Sequence, residues 1–204
     1  MLRVGLTGVI GCGKSQVARM LHAAWEIPVI DMDLAGRAAV ERPAVLLRLR
    51  AVFGPEILTA AGALDRRALG RIVFTDAAAR QRLNAIVHPA MLAIVRRQMQ
   101  QAPRQSAAPY LLVDAALLFE LGFERELDCV VAVFAPSALC LERTMARDGL
   151  SRTEAEQRMA AQLPQEEKCR RADYVLDNSG DLTALQARIV ALHAWLLQQK
   201  SSLH

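Results

Sequence analysis

Lysine is scarce in this 204-residue chain, although the chain as a whole is basic. Its 25 Lys and Arg residues against 21 Asp and Glu residues give a formal net charge of +4. Only three of the basic residues are lysines: Lys14, Lys168 and Lys200. An excess this small does not indicate a nucleic-acid partner, although it favours anionic small ligands. The position of each lysine is therefore informative.

Several signals of other protein classes are also missing. The four cysteines contain no C-x-x-C pair, which excludes a zinc ribbon or disulfide framework and favours reduced thiols in the cytoplasm. No apolar run approaches the roughly 18 residues of a membrane span, and the N-terminus has no signal-peptide pattern. With 53% hydrophobic and 23% charged residues, the chain is not disordered. We expect a cytoplasmic α/β protein without a nucleic-acid or membrane partner, and the sequence leaves its oligomeric state open.

Short continuous apolar runs alternate with helical patterns along the chain. Runs without polar alternation are typical of strands buried on both faces of a parallel sheet. There are five of them, at residues 2–7, 27–30, 110–113, 127–134 and 174–176. They predict a parallel five-stranded sheet flanked by helices. A last amphipathic helix should pack on this sheet through residues at three- and four-residue spacing: Leu182, Leu185, Ile189, Leu192 and Leu196.

Two stretches between these runs are too long for single crossover helices. The first predicts a helical insertion over residues 35–108, with a break at the His88-Pro89 step and a loop over 100–108. The second predicts a helical lid over 143–171. Within the lid, Ser151 and Glu154 form a capping-box pattern that opens a helix carrying Met159 and Leu163. The remaining segments form the predicted nucleotide-binding core: 1–34, 109–142 and 172–204.

Gly8 to Ser15 match the pattern G-x-x-x-x-G-K-[ST] at every defined position. The match follows a predicted strand and opens a predicted helix, which is the context that such a phosphate-binding loop requires. The glycines let backbone N–H groups surround phosphate oxygens, while Lys14 reaches the β- and γ-phosphates and the Ser15 hydroxyl ligates Mg²⁺. The competing G-x-G-x-x-G dinucleotide pattern is absent. A glycine-rich turn with an accidental lysine is the other interpretation.

Carboxylates follow two of the predicted strands. Asp114 ends the third run, where a carboxylate can lie beside Mg²⁺, although a helix cap is the alternative. Asp31 and Asp33 end the second run and, at strand spacing, would point the same way. One of them could orient and deprotonate an acceptor hydroxyl, or both could cap the helix that starts near residue 34.

Arg143 and Arg147 lie four residues apart on a predicted helix and therefore share one face. Facing the γ-phosphate, they could neutralise charge that develops during transfer. In a chain this rich in arginine, a solvated helix face is the alternative. His88 could be a helix cap or a substrate contact.

Seven motifs occur in an order that resembles the dephospho-CoA kinase family: GLTGVIGCGKS, VIDMDLAGR, LDRRALGRIVF, LNAIVHP, LLVDAALLFE, RTMARDGLS and ADYVLDNSG. The resemblance spans about residues 2 to 180. It implies a P-loop nucleotide-kinase core with a helical CoA-binding domain and a mobile lid. It also implies that ATP phosphorylates the ribose 3′-hydroxyl of dephospho-CoA, the last step of coenzyme A synthesis.

The resemblance also assigns roles by position. Asp33 would be the general base on the 3′-hydroxyl, with Arg37 and His88 towards the acceptor, and the catalytic group would include Lys14 and Arg143. Arg143 and Arg147 would lie at the lid edge, and Asn178 with Gly180 near the adenine of ATP. The metal ligands would be Ser15 and Asp114. The expected phosphate-binding set is Gly8, Gly11, Cys12, Gly13, Lys14, Ser15 and Gln16.

The chain departs from the family pattern at Val9, Cys12, Gln16 and Ala116. Position 12 contributes its backbone N–H, so a cysteine there removes no phosphate donor. It does place a thiol at a helix N-terminus beside Lys14, an environment that favours the thiolate. We therefore expect activity that is sensitive to oxidation or alkylation and protected by ATP.

Two alternative functions remain open. Another small-molecule P-loop kinase, acting on a nucleoside, nucleotide or shikimate-like acceptor, would keep the loop and lid but need a different acceptor domain. A nucleotide-dependent switch is the other, although the sequence has no Asn-Lys-x-Asp motif for reading guanine.

Overall fold

A computed structural model describes residues 1–202, without the side chains of Phe74, Thr75 and Ser202. Leu203 and His204, which the predicted core included, lie outside the described residues. The strands are β1 Leu2–Thr7, β2 Val29–Asp31, β3 Tyr110–Asp114, β4 Cys129–Phe134 and β5 Tyr174–Asp177. The helices are α1 Lys14–Trp25, α2 Met32–Val40, α3 Pro43–Phe53, α4 Arg66–Thr75, α5 Ala77–Gln105, α6 Ser137–Asp148, α7 Arg152–Ala160, α8 Gln165–Arg171 and α9 Leu182–Ser202.

Within the described residues, the strands form one parallel five-stranded sheet in the order β2-β3-β1-β4-β5, which confirms the predicted architecture. The central strand β1 pairs with β3 on one side and β4 on the other. Leu6 lies opposite Asp114, and Thr7 lies opposite Ala132. The carboxyl ends of these strands therefore meet at one edge, which is where open α/β sheets bind ligands.

The chain divides into two compact units, and the sheet belongs to the first, Met1–Ile30 with the segment from Gln101 onward. Its hydrophobic core joins β1, β3, β4 and β5 to α1 and α9. The predicted face of α9 is confirmed for four leucines and isoleucines: Leu185, Ile189, Leu192 and Leu196. Leu182 was wrongly included, since it is 55% exposed at the first turn of the helix.

The second unit, Asp31–Gln100, has a hydrophobic core of its own. Its helices α2, α3 and α4 begin with the signals that physical chemistry favours. The Asp31 and Asp65 carboxylates accept hydrogen bonds from the first turns of α2 and α4, and Pro43 occupies the first turn of α3. The buried side chains of this core are Val40, Val45, Leu49, Phe53, Ile57, Leu69, Ala79 and Ile86.

The predicted break at His88 is wrong, because α5 runs without interruption from Ala77 to Gln105. A proline inside a helix removes one backbone hydrogen bond and bends the helix, but it does not have to end it. His88 therefore lies in mid-helix and is not a cap. The predicted loop over 100–108 is also too long, since α5 occupies its first six residues.

The capping box that opens the lid helix is confirmed. The Ser151 hydroxyl accepts a hydrogen bond from the Glu154 N–H, and the Glu154 carboxylate accepts one from the Ser151 N–H. The helix ends at Ala160, so Leu163 lies beyond it and not on it. Among residues 1–202, no helix is long and apolar enough to cross a membrane.

Candidate active site

The predicted phosphate-binding loop connects β1 to α1, as the motif requires. Gly13 is the residue before α1 and has a left-handed backbone, with φ 97° and ψ 19°. The N–H groups of the first helical turn point out of the helix end, where they and the helix dipole attract anions. The Gln16 N–H already donates to the Gly13 carbonyl at 3.0 Å, so the turn is closed.

Two glycines let the loop pack directly against its surroundings. A Cβ on Gly11 would lie 2.1 Å from the Cys140 carbonyl oxygen of α6. A Cβ on Gly13 would lie 2.2 Å from the side-chain nitrogen of Asn178, which follows β5. Both residues have φ in the left-handed region, at 80° and 97°. The loop is therefore pressed against α6 and the end of β5, and only glycine fits at these two positions.

Lys14 holds the loop together from inside. Its Nζ donates hydrogen bonds to the Gly8 carbonyl at 2.9 Å and the Val9 carbonyl at 3.3 Å, and it lies 4.0 Å from the Cys12 sulfur. The side chain is 9% exposed. A buried ammonium needs such partners. The loop carbonyls thus keep the Lys14 charge at the phosphate-binding loop.

Cys12 does not have the exposure that the expected thiol chemistry requires. Its side chain is fully buried and belongs to the hydrophobic core. Its carbonyl accepts a hydrogen bond of 2.8 Å from the Asn178 side chain. A reagent cannot reach this sulfur without opening the loop, so the expected oxidation or alkylation sensitivity is not supported.

Asn178 anchors the end of β5 to the loop. Its side-chain amide donates to the Cys12 carbonyl and its backbone N–H donates to the Phe134 carbonyl at 2.6 Å. The residue is 2% exposed, whereas Gly180 lies at the surface. The Asn178 amide therefore stabilises the loop, and the adenine contact of these two residues stays a prediction.

Arg143 and Arg147 both lie on α6, but their surroundings differ. The Arg143 guanidinium donates to the Asn178 carbonyl at 3.4 Å, and one of its nitrogens is 3.9 Å from the Cβ position of Gly13. It is therefore next to the phosphate-binding loop. Arg147 is exposed and donates to both carboxylate oxygens of Asp148, at 2.8 and 3.0 Å. The structure thus places only Arg143 at the loop.

The predicted metal ligands are oxygen donors on two different elements, Ser15 on α1, which follows β1, and Asp114 at the end of β3. Ser15 is exposed in the first turn of α1. Asp114 is half-buried at the last position of β3, opposite Leu6 of β1, and the Leu6 carbonyl accepts the N–H of Ala115 at 3.0 Å. In the part of the chain that the structure describes, no cluster of three or more His, Cys, Asp or Glu side chains could hold a metal. A resident all-protein site is not supported.

The predicted acceptor-side residues all lie in the second unit. Asp31 is the cap of α2, since its carboxylate accepts the Leu34 N–H at 2.9 Å, while Asp33 lies in the first turn of that helix and is exposed. The expected strand spacing of the two carboxylates is therefore wrong. Arg37 is exposed on α2, and His88 is half-buried on α5, where burial lowers its pKa.

Sequence reasoning missed a polar cluster between the lid and the core. Lys168 of α8 is fully buried, and its Nζ donates to the Ala116 carbonyl at 2.7 Å and to the Glu120 carboxylate at 2.7 and 2.9 Å. Burial lowers the pKa of Lys168, and the hydrogen bond with Glu120 opposes that shift. Gln162, between α7 and α8, contacts the loop itself through the Ile10 N–H. Only the scarcity of lysine could have drawn attention to position 168.

Comparisons with known proteins agree with this arrangement. A family model described as dephospho-CoA kinase matches residues 2–184. A dephospho-CoA kinase of Anaeromyxobacter dehalogenans is 47% identical over 187 residues, which is 91% of this chain and 87% of that protein. The corresponding protein of Geobacter sulfurreducens is 44% identical over 192 residues, which is 94% of this chain and 96% of that protein.

Solved structures show the same similarity. TT1252 from Thermus thermophilus has a TM-score of 0.81 at 39% identity, and a dephospho-CoA kinase from Campylobacter jejuni has 0.73 at 28%. Each of the two alignments covers 96% of this chain and 97% of the chain of the solved structure. A shikimate kinase from Acinetobacter baumannii, with a TM-score of 0.55 at 16% identity, shares the fold alone.

Proposed function

The chain belongs to the dephospho-CoA kinase family, and we propose that it uses ATP to phosphorylate the ribose 3′-hydroxyl of dephospho-CoA. The products are ADP and coenzyme A, so the reaction is the last step of coenzyme A biosynthesis. The match to the dephospho-CoA kinase family over residues 2–184 supports the acceptor, and the phosphate-binding loop is the structural observation that supports the use of ATP. Its glycines are locked in place against α6 and Asn178, and Lys14 is buried within it.

Lys14 and the N–H groups at the start of α1 would bind the β- and γ-phosphates of ATP. Lys14 now donates to two loop carbonyls, so it can exchange one of them for a phosphate oxygen without leaving the loop. Arg143 would neutralise charge on the transferred group, since its guanidinium lies beside Gly13. Arg147 would assist only after release from Asp148. Asn178 and Gly180 would border the adenine.

Ser15 and Asp114 fit a magnesium ion that arrives with the nucleotide. Mg²⁺ in kinases is held by one or two protein oxygens, with phosphates and water completing its coordination. A hydroxyl and a carboxylate of this kind meet that requirement, and a three-carboxylate cluster is not needed. When bound, the ion would neutralise phosphate charge.

Asp33 would act as the general base for the acceptor hydroxyl. The carboxylate of Asp31 is engaged in capping α2, whereas Asp33 is exposed in the same turn. Asp33 would accept the proton of the 3′-hydroxyl as that oxygen attacks the γ-phosphorus, and ADP would leave. Arg37 and His88 would contact the acceptor, and the cytoplasm would suit its four free cysteines.

The test is ADP release with a panel of acceptors: dephospho-CoA, adenosine, AMP and shikimate. We expect turnover with dephospho-CoA to exceed turnover with the others. ATP hydrolysis that no acceptor stimulates, or a preference for another acceptor, would contradict the proposal.

A matched pair of variants tests the base. Asp33→Asn should keep ATP binding and lose about two to four orders of magnitude in turnover. Asp31→Asn removes a carboxylate two residues away but keeps a good helix cap, so it should stay close to the wild type. Equal turnover in the two variants would exclude Asp33 as the base.

A further inference from the structure

The segment between α7 and α8 contacts the phosphate-binding loop through one side chain. The Gln162 side-chain oxygen accepts a hydrogen bond of 2.9 Å from the Ile10 N–H, across 152 residues of sequence. Ile10 is the third residue of the loop, between Gly8 and Gly11. We propose that Gln162 is a positioning residue that holds this loop in its binding conformation before the nucleotide arrives. The inference depends on the proposed binding of ATP at this loop.

Gln162 is itself held in place by its neighbours. The Leu163 N–H donates to the Glu120 carboxylate at 2.8 Å, and Glu120 also accepts from the buried Lys168. Gln165 donates to the Ala135 carbonyl at 2.9 Å and accepts from the Ala135 N–H at 3.3 Å. The segment that carries Gln162 is therefore fastened to the residues after β3 and β4. A hydrogen bond from such an anchor restrains its partner.

The restraint acts on Ile10, which lies between the close-packed Gly8 and Gly11. Gly11 is pressed against α6, and Gly13 is pressed against Asn178. The preceding residues are held by the Lys14 ammonium at the Gly8 and Val9 carbonyls, and by Gln162 at the Ile10 N–H. Without Gln162, the Ile10 peptide unit could rotate, and the loop would have to be ordered at the expense of binding energy. This cost falls on every nucleotide that uses the loop and not on the acceptor.

Gln162→Leu removes the acceptor oxygen and nearly keeps the side-chain volume. Gln157→Leu makes the same change five residues away, on the exposed surface of α7, and serves as the matched control. We would measure the Kd of ATP and of ADP by titration calorimetry, the KM for each substrate, and the Tm without nucleotide. Gln162→Ala is the second variant if the leucine protein does not fold.

For Gln162→Leu, we expect the Kd of both ATP and ADP to rise by about 3- to 10-fold, the worth of one hydrogen bond. The KM for dephospho-CoA should remain at the value of the control. Nucleotide affinities equal to those of Gln157→Leu would overturn the inference. Tighter binding would overturn it too, because Gln162 would then compete with phosphate for the Ile10 N–H. A fall in Tm with unchanged affinities would assign Gln162 to folding alone.

The experiment separates this inference from the proposed function. A wild-type chain that binds no ATP would overturn both. A wild-type chain that binds ATP but does not phosphorylate dephospho-CoA would overturn the function and leave the comparison of the two variants decisive for Gln162.

Discussion

Replacing Gly11 by alanine tests whether the phosphate-binding loop is held by close packing. The new Cβ would lie 2.1 Å from the Cys140 carbonyl oxygen and 2.5 Å from the Thr144 hydroxyl oxygen. An ordinary carbon–oxygen contact is about 3.3 Å or longer, so the loop or α6 must move by about 1 Å. Neither partner is the end of a flexible side chain. The Thr144 hydroxyl is fully buried and donates to the same Cys140 carbonyl at 2.7 Å.

Three effects contribute to the expected loss of stability. A left-handed alanine costs about 1–2 kcal/mol, and overpacking costs about 1–3 kcal/mol. If the loop displaces the Thr144 hydroxyl, its hydrogen bond adds about 0.5–1.5 kcal/mol. We therefore expect Gly11→Ala to lower the free energy of unfolding by about 3 kcal/mol or more.

Gly122→Ala is the control, because Gly122 belongs to the same compact unit and has φ 64° but no atom within 4 Å of its Cβ position. Gly122→Ala should lower the free energy of unfolding only by the cost of placing alanine in a left-handed conformation. The change in the entropy of the unfolded chain is the same for both variants and therefore cancels in the comparison. Urea unfolding followed by tryptophan fluorescence reports on this unit, since Trp25 and Trp195 both lie in it. Free energies of unfolding that agree within about 0.5 kcal/mol between the two variants would refute close packing at Gly11.

Two other predictions concern a buried lysine and a half-buried histidine. Lys168→Met should lower the free energy of unfolding by about 2–4 kcal/mol, less than for a fully buried pair because the Glu120 side chain is 21% exposed. The control Arg152→Met removes the exposed ion pair with Glu156 and should change the free energy of unfolding by less than about 0.5 kcal/mol. Equal losses for the two variants in urea unfolding would contradict this reasoning. Burial lowers the pKa of His193, so the unfolded chain binds a proton at higher pH than the folded chain does. The free energy of unfolding should therefore fall as the pH drops below about 6.5. A His193→Asn variant should show a smaller fall in Tm between pH 7.5 and pH 5 than the wild type does. An identical fall in the two proteins would exclude His193 as a source of this pH dependence.

The elements predicted correctly from the sequence are those whose signals are local. Strands β1, β3 and β4 appear as continuous apolar runs, because both faces of a central parallel strand are covered. The edge strand β5 gives a shorter run, in which only Leu176 is buried. The phosphate-binding loop is equally local, since strand, glycines, lysine and helix follow one another within residues 2–25. The start of α7 could be predicted because both members of its capping box lie within one turn.

The failures occur where tertiary packing decides between local alternatives. Pro89 is a strong local signal for a break, yet α5 continues through it and buries Ile86 and Met91 on either side. Asp31 and Asp33 could belong to a strand or a helix, and α2 begins at Met32, two residues before the start expected near residue 34. The contact between Gln162 and Ile10 spans 152 residues, so no pattern in one sequence could have indicated it.

The surroundings of Lys14 and Lys168 explain why lysine is used at these two positions in a chain that is otherwise rich in arginine. Lys168 directs three hydrogen bonds from one nitrogen, to a backbone carbonyl and to both oxygens of Glu120. Lys14 directs two to successive carbonyls of a tight loop. A tetrahedral ammonium can satisfy converging acceptors of this kind at a single point, whereas a planar guanidinium needs more volume and acceptors spread along its edges. Both lysines are buried, so unsatisfied N–H groups could not turn to water instead. The geometry of the acceptors, and not the charge alone, therefore requires lysine at these two positions.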